Sequence, residues 1–330
     1  MTLDANLIGR RTFLTKHIGC ACHVALMAAA MPLAARRALA AESLGTIVAK
    51  EKFGTLEKVA EGVWAHVSAP LEGDRTTVSN GGLIAGRDGV LAIEGFQTPA
   101  GAQWLAGKAK ELTGKWPTHV ALTHYHADHA NGVAGYLAGA DKPPIRSTAR
   151  TRDLVIERNQ TPPDPNRVAA LKDVIVLSPT ETSTLDLGGR TVKLIPRGGH
   201  TDSDVTVELD DPGVVFCGDL VWNKMFPNYV DTVPTKMAAS IRGLKRSSAS
   251  TIYVPGHGPV AKNADIDRYL AMFAAVEAAA RKAKAAGISA EDAGNTFELP
   301  DNLGMWALFN PAAKTFYQRA FAAWYKEIKA

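Results

Sequence analysis

The chain has 330 residues, 46% of them hydrophobic and 21% charged, with a formal net charge of +4 at pH 7 and three cysteines. That length suits one large domain or two small ones. The balance is that of an ordinary globular protein, which excludes a fibrous, disordered or disulfide-rich class.

The positive surplus sits at the start. Residues 1–40 carry five basic side chains, Arg10, Arg11, Lys16, Arg36 and Arg37, against one acid, Asp4. Taking these from the chain's 37 basic and 33 acidic residues leaves 32 of each, so the remainder gives no electrostatic ground for nucleic-acid binding. A mostly apolar run over 18–35 is interrupted by His23 and Pro32 and followed by Ala38-Leu39-Ala40, a small-residue pattern that export peptidases cut. The segment GRRTFLTK resembles a twin-arginine export signal. The expectation is an export signal over 1–40, cleavage near Ala40-Ala41, and a periplasmic or secreted working domain over 41–330; a membrane anchor or a basic tail is the alternative. No later apolar stretch is long enough to span a bilayer. Cys20 and Cys22 leave with the signal, so Cys217 is the only mature thiol.

Residues 56–94 read as short strands, VWAHV, GGLIAG and VLAIE, with a turn at Arg87-Asp88-Gly89. Residues 99–112 have helical spacing, with Trp104, Leu105 and Ala109 on one face. The strand HVALT follows, then helices over 129–137 and 151–158 and a Pro-rich loop, TPPDPN. The strands DVIVLS, TVKLIP, DVTVEL, VVFCG and TIYVP come next, with hairpin turns at Gly188-Gly189 and Asp211-Pro212-Gly213. Helices are expected over 236–246, about 265–285 and 312–328. Strands alternating with helices, and several hairpins, suggest two mixed sheets packed together with helices outside.

The chemistry concentrates in THYHADHANG, which places His124, His126, Asp128 and His129 within six residues after an apolar strand. Imidazoles suit zinc, and a carboxylate adds charge and hardness. In an extended loop His124 and His126 point the same way and can grip one ion. A helix starting near Asp128 would turn Asp128 and His129 away, toward a second. Further strands lead to His200, Asp219 and His257, each beside a glycine that lets the backbone turn. Seven candidates are too many for one closed structural ion. A surface histidine cluster, or an Asp219 that merely caps a turn, are the bland readings. His66 and His119 lie inside strands and read as core or surface residues. Tyr125 reads as packing, and Cys217 as a buried strand residue rather than a ligand or nucleophile. Trp222, Lys224, Phe226 and Tyr229 either line a pocket or pack a loop.

HYHADH matches the HxHxDH motif of the metallo-β-lactamase-fold superfamily. GGHTDSD, FCGD and GHG resemble its later metal motifs in order, and GLIAGRDGVLAIEG resembles its opening hairpin. The resemblance spans about residues 55–260. It implies an αββα sandwich of two mixed β-sheets flanked by helices, with C-terminal helices from about 262. It also implies two zinc ions, iron or manganese being the other options: His124, His126 and His200 on the first, Asp128, His129 and His257 on the second, and Asp219 bridging. Asp128 and Asp219 are then the catalytic carboxylates. The hairpin usually ends in aspartate where this chain has Glu94, which puts an outer contact in question. The implied activity is hydrolysis of a small ester, thioester, lactone or lactam by hydroxide held on the metal. A bridging aspartate resembles thioesterase and lactonase members more than dedicated β-lactamases. An iron-dependent persulfide dioxygenase, or a non-catalytic metal-binding partner, are the competing classes.

Overall fold

The computed structural model describes residues 43–309 and 314–329. The expected export segment and its cleavage site lie outside these residues. The first sheet has eight strands in chain order: β1 (Thr46–Glu51), β2 (Gly54–Ala60), β3 (Val63–Ser68), β4 (Gly81–Ala85), β5 (Val90–Ile93), β6 (His119–Ala121), β7 (Ile145–Thr148) and β8 (Ile175–Leu177). Neighbours are antiparallel from β1 to β5 and parallel from β5 to β8. The change of sense follows from the connections. Short turns join the early strands, whereas helices bridge the later ones: α1 (Pro99–Thr113), α2 (Ala127–Ala130), α3 (Ala149–Arg158) and α4 (Pro165–Lys172).

The second sheet holds β9 (Ser183–Asp186), β10 (Thr191–Pro196), β11 (Val205–Leu209), β12 (Val214–Trp222) and β13 (Ile252–His257), in the order β13-β12-β11-β10-β9. Only β12 and β13 are parallel, joined through α5 (Pro234–Leu244).

Alternation along the strands builds the layers. Val63, Ala65, Ile84, Leu91 and Ile93 face inward against Val192, Leu194, Val205, Val207 and Phe216 of the second sheet. Trp64, Leu83, Ala92 and Val120 face outward, under Leu105, Tyr136 and Leu154. Val215 and Cys217 on the far face meet Tyr269, Met272 and Phe273 of α6 (Asn263–Ala285). Helices α7 (Ala290–Thr296) and α8 (Thr315–Glu327) complete that layer. The protein is therefore a four-layer αββα sandwich. No helix among the described residues is long and apolar enough to cross a membrane.

Several local expectations change. The single helix expected over 129–137 is two pieces, α2 and a 3₁₀ helix, Val133–Ala138. Between them the Gly132 amide donates to Phe96 O instead of continuing the helical ladder. The Pro-rich loop starts α4, because Asp164 caps the Asn166 amide and Pro165 occupies the first turn. DVIVLS keeps only Ile175–Leu177 as strand, whereas VVFCG runs on to Trp222. The strands β1, β7 and β9 and the helix α7 carry no distinct sequence signal.

Candidate metal centre

Chain segments converge on one edge of the sandwich, where the two sheets open. His124 and His126 follow β6, α2 carries Asp128 and His129, His200 follows β10, and His257 ends β13. Asp219 arrives differently. It lies within β12, just after Gly218, where φ is +52° and the register with β13 slips. A Cβ at 218 would sit 2.8 Å from Thr123 Oγ1, so only glycine lets β12 approach the Thr123 loop this closely. The irregularity sends Cys217 into the helical layer while Asp219 reaches the centre.

All seven expected residues come together: His124, His126, His200 and Asp219 form one group, Asp128, His129 and His257 form another, and the second oxygen of Asp219 lies beside the latter. In the first, His126 Nδ1 lies 3.1 Å from His124 Nε2 and 2.9 Å from His200 Nε2. Asp219 Oδ2 is 3.3 Å from His200 Nε2 and 3.7 Å from His124 Nε2. In the second, Asp219 Oδ1 is 3.0 Å from His129 Nε2 and 3.4 Å from His257 Nε2. Asp128 Oδ2 is 3.2 Å from His257 Nε2 and 3.7 Å from His129 Nε2. Ligands about 2.0–2.1 Å from a tetrahedral zinc lie roughly 3.3 Å apart, so both sets match such an ion in spacing and donor type.

The atoms also fit a cation by what they lack. His129 Nε2, His257 Nε2 and Asp219 Oδ1 are buried and near one another, but none is aligned for a hydrogen bond. Glu94, His124 and His129 also cluster, but through their outer nitrogens. The Thr123 hydroxyl donates to Glu94 Oε1 at 2.5 Å and so accepts from His124 Nδ1 at 3.0 Å. Glu94 Oε1 also accepts from His129 Nδ1 at 2.9 Å. Both rings therefore use Nδ1 for these outer hydrogen bonds and turn Nε2 inward. The outer contact in question is thus made, by a glutamate.

Electrostatics agree with a cation-ready centre. Burial would raise the Asp219 carboxyl, but His129, His257 and His200 outweigh it and hold it well below the usual range. Burial is likewise overcome by His129 and His257 at Asp128, which is also held low. Burial opposes charge on His129 and His257, yet Asp219 and the neighbouring carboxylates raise both. His124 is pushed well down and His200 to about 3, chiefly by burial. The protons on His129 and His257 occupy atoms that a metal would take, so metal binding would release them.

Supporting residues come from elsewhere in the chain. Asp204 accepts the His200 and Thr201 amides and the Thr201 hydroxyl, fixing the His200 turn. Burial lifts its carboxyl to about 6 despite those bonds. Tyr125 does more than pack. Its hydroxyl donates to Asp231, which also faces His126 Nε2 at 3.2 Å. Asp231 has no motif around it and is not legible in the sequence as a site residue. Trp222 packs on the His257 ring at 4.0 Å, and Phe309 meets that ring edge-on at 5.2 Å. Phe226 and Tyr229 are fully buried against Tyr317 and Phe273, in the helical layer. The Lys224 carbonyl accepts the Ala307 amide, tying down the segment that carries Phe309. Cys217 is buried, which pushes its thiol well up and removes it as a nucleophile. His66 is a buried core residue, and His119 is half-buried. A cavity of about 190 Å³ lies by Ile47, Glu57, Val67, Met225 and Pro259, but none of the seven residues lines it.

Comparison with known proteins agrees with this geometry. The model of the metallo-beta-lactamase superfamily matches residues 76–257. A hydroxyacylglutathione hydrolase of Acidiphilium cryptum is 31% identical over 196 residues, 58% of this chain and 72% of that protein. A type 2 metallo-beta-lactamase of a Bacillus species, strain 170, is 26% identical over 229 residues, 67% of this chain and 83% of that one. The crystal structure of a metallo-beta-lactamase from Erythrobacter litoralis superimposes with a TM-score of 0.56 at 22% identity, over 68% of this chain and 98% of that chain.

Proposed function

For a chain that belongs to the metallo-beta-lactamase superfamily and is a metal-dependent hydrolase, we propose a centre of two divalent cations, zinc in the first instance. His124, His126 and His200 hold one and Asp128, His129 and His257 the other, with Asp219 between them. The observation that carries this is the Asp219 carboxylate, whose Oδ2 faces the first set while Oδ1 faces the second. Two such ions, when bound, would polarise a substrate oxygen and would lower the pKa of a water from 15.7 to about 7.

The chain's residues do the rest. Glu94 and Thr123 fix the inward nitrogens of His129 and His124. His126 and Asp128 are the partly exposed members, with side chains 17% and 22% accessible, so substrate approaches over them. Asp128 is then the carboxylate placed to accept a hydrogen bond from the attacking water and orient it. Trp222 and Phe309 wall the His257 side.

The substrate read here is a small ester, thioester, lactone or lactam. The Acidiphilium and Bacillus relatives, named a hydroxyacylglutathione hydrolase and a metallo-beta-lactamase, support an acyl-type bond. We place the enzyme outside the cytoplasm, on the strength of Arg10-Arg11 and Ala38-Leu39-Ala40. Mass spectrometry of exported protein tests this, since a retained Met1 would contradict cleavage near Ala41.

A panel of lactones, thioesters, esters, β-lactams, sulfate esters and phosphodiesters, assayed with and without chelator, tests the activity. Chelator-sensitive turnover of one acyl class is expected. Turnover that survives complete metal removal would overturn the mechanism. Bound iron with oxygen consumption on a persulfide would move the chain to the oxidoreductase class.

A further inference from the structure

We propose that Asp231 is a positioning residue that fixes His126 for the first ion, and for that ion alone. The inference rests on the reading of His126 as a metal ligand. His126 differs from the other four imidazoles of the centre in two ways. It turns Nδ1 inward, whereas His124, His129, His200 and His257 turn Nε2 inward. Its side chain is 17% accessible, whereas the others are at most 1% accessible. Packing that locks a buried ring therefore does not lock this one, and a half-turn about χ2 would carry Nδ1 out of the centre.

Asp231 supplies the missing restraint. Its Oδ2 lies 3.2 Å from His126 Nε2, so the ring donates Nε2–H outward and keeps its Nδ1 lone pair inward. The carboxylate is itself held. The Tyr125 hydroxyl donates to Oδ2, and Arg158 Nη1 donates to Oδ1 at 3.4 Å and to the Tyr125 oxygen at 2.8 Å. The Tyr125 ring stands 4.5 Å from the His126 ring at 61°. Two residues on, the Val233 amide donates to Gly199 O, beside His200. The 229–233 loop thus holds the His126 ring directly and the backbone that precedes His200, and no contact of Asp231 with the second set is seen among the described residues.

The test separates the two ions. Zinc-loaded wild type, Asp231→Ala and Asp231→Asn are equilibrated with graded chelator, and retained zinc is counted by elemental analysis. Asp231→Ala is expected to release one ion at 10- to 100-fold lower chelator while keeping the other. Asp231→Asn, which retains an acceptor oxygen, is expected to recover part of that loss. The proposal is overturned if Asp231→Ala releases both ions together or holds both as wild type does, or if Asp231→Asn recovers nothing. It is also overturned if the metal-free Asp231→Ala protein melts well below the metal-free wild type, which would make the residue a structural one. A wild type that never holds two ions would be a different result, against the two-ion reading itself.

Discussion

Glu94 Oε1 lies 2.9 Å from His129 Nδ1 and accepts the Thr123 hydroxyl at 2.5 Å, so one buried carboxylate orients two imidazoles from the two different ligand groups. Glu94 holds a φ of +77°, a backbone state that costs a non-glycine residue on the order of 1–3 kcal/mol. Glu94→Gln keeps the shape but weakens the acceptor. A 10- to 100-fold loss of zinc affinity is expected, measured by chelator competition. Glu94→Asp is expected to lose at least as much, because the shorter side chain cannot reach both partners. A Glu94→Gln protein with wild-type affinity would show that the contact is idle.

A Cβ at Gly256 would stand 2.0 Å from Asp219 Oδ1 and 2.9 Å from the Gly218 backbone. Gly256→Ala must therefore displace the Asp219 carboxylate, whose two oxygens face the two ligand groups. Activity is expected to fall at least tenfold, with one zinc ion or fewer retained after dialysis. The stability cost should be about 1–3 kcal/mol, in line with overpacking elsewhere. Unchanged metal content in this variant would mean that the carboxylate tolerates displacement.

His66 provides a pH dependence that does not involve the metals. Burial lowers its pKa to about 3, although Nδ1–H donates to Thr55 O. Nε2 accepts from the Thr77 hydroxyl, and the rings of Phe53, Phe96 and Trp104 surround it. The unfolded chain, with an imidazole pKa near 6.5, binds one more proton than the folded chain between pH 6.5 and about 3. Stability from this site is therefore complete above pH 6.5 and is lost as pH falls through that window. Between pH 7 and 4, metal-free wild type should lose about 3 kcal/mol more than metal-free His66→Gln. Urea unfolding at the two pH values measures this, and equal losses would mean that His66 does not titrate as described.

The legible parts of this site share a property. His124, His126, Asp128 and His129 fall within six residues, and His200, Asp219 and His257 each stand beside a glycine after an apolar run. Local spacing carries them. Asp231, Tyr125 and Arg158 act on the same centre, but they meet only through the packing of three separate segments, with no spacing to betray them. Tyr125 reads as packing in the sequence because its hydroxyl partner is 106 residues away. Asp219 sits inside β12 rather than at its end, since only the fold shows that β12 runs on past a left-handed Gly218. The layers were legible from alternation in the long strands. Short elements such as β7, β9 and α7 were not, because four to seven residues fix no period.

The Asp219 carboxylate faces both ligand groups, one oxygen to each. Titration of metal-free protein with zinc, followed by calorimetry and checked by elemental analysis, reads the number of ions directly. Wild type is expected to take up two ions per chain. Asp219→Ala is expected to hold one or none, with activity reduced roughly a hundredfold or more, the upper end of what loss of even an outer partner costs. A wild type that saturates at one ion, or an Asp219→Ala protein that still binds two ions with undiminished affinity, would contradict a centre built around that carboxylate.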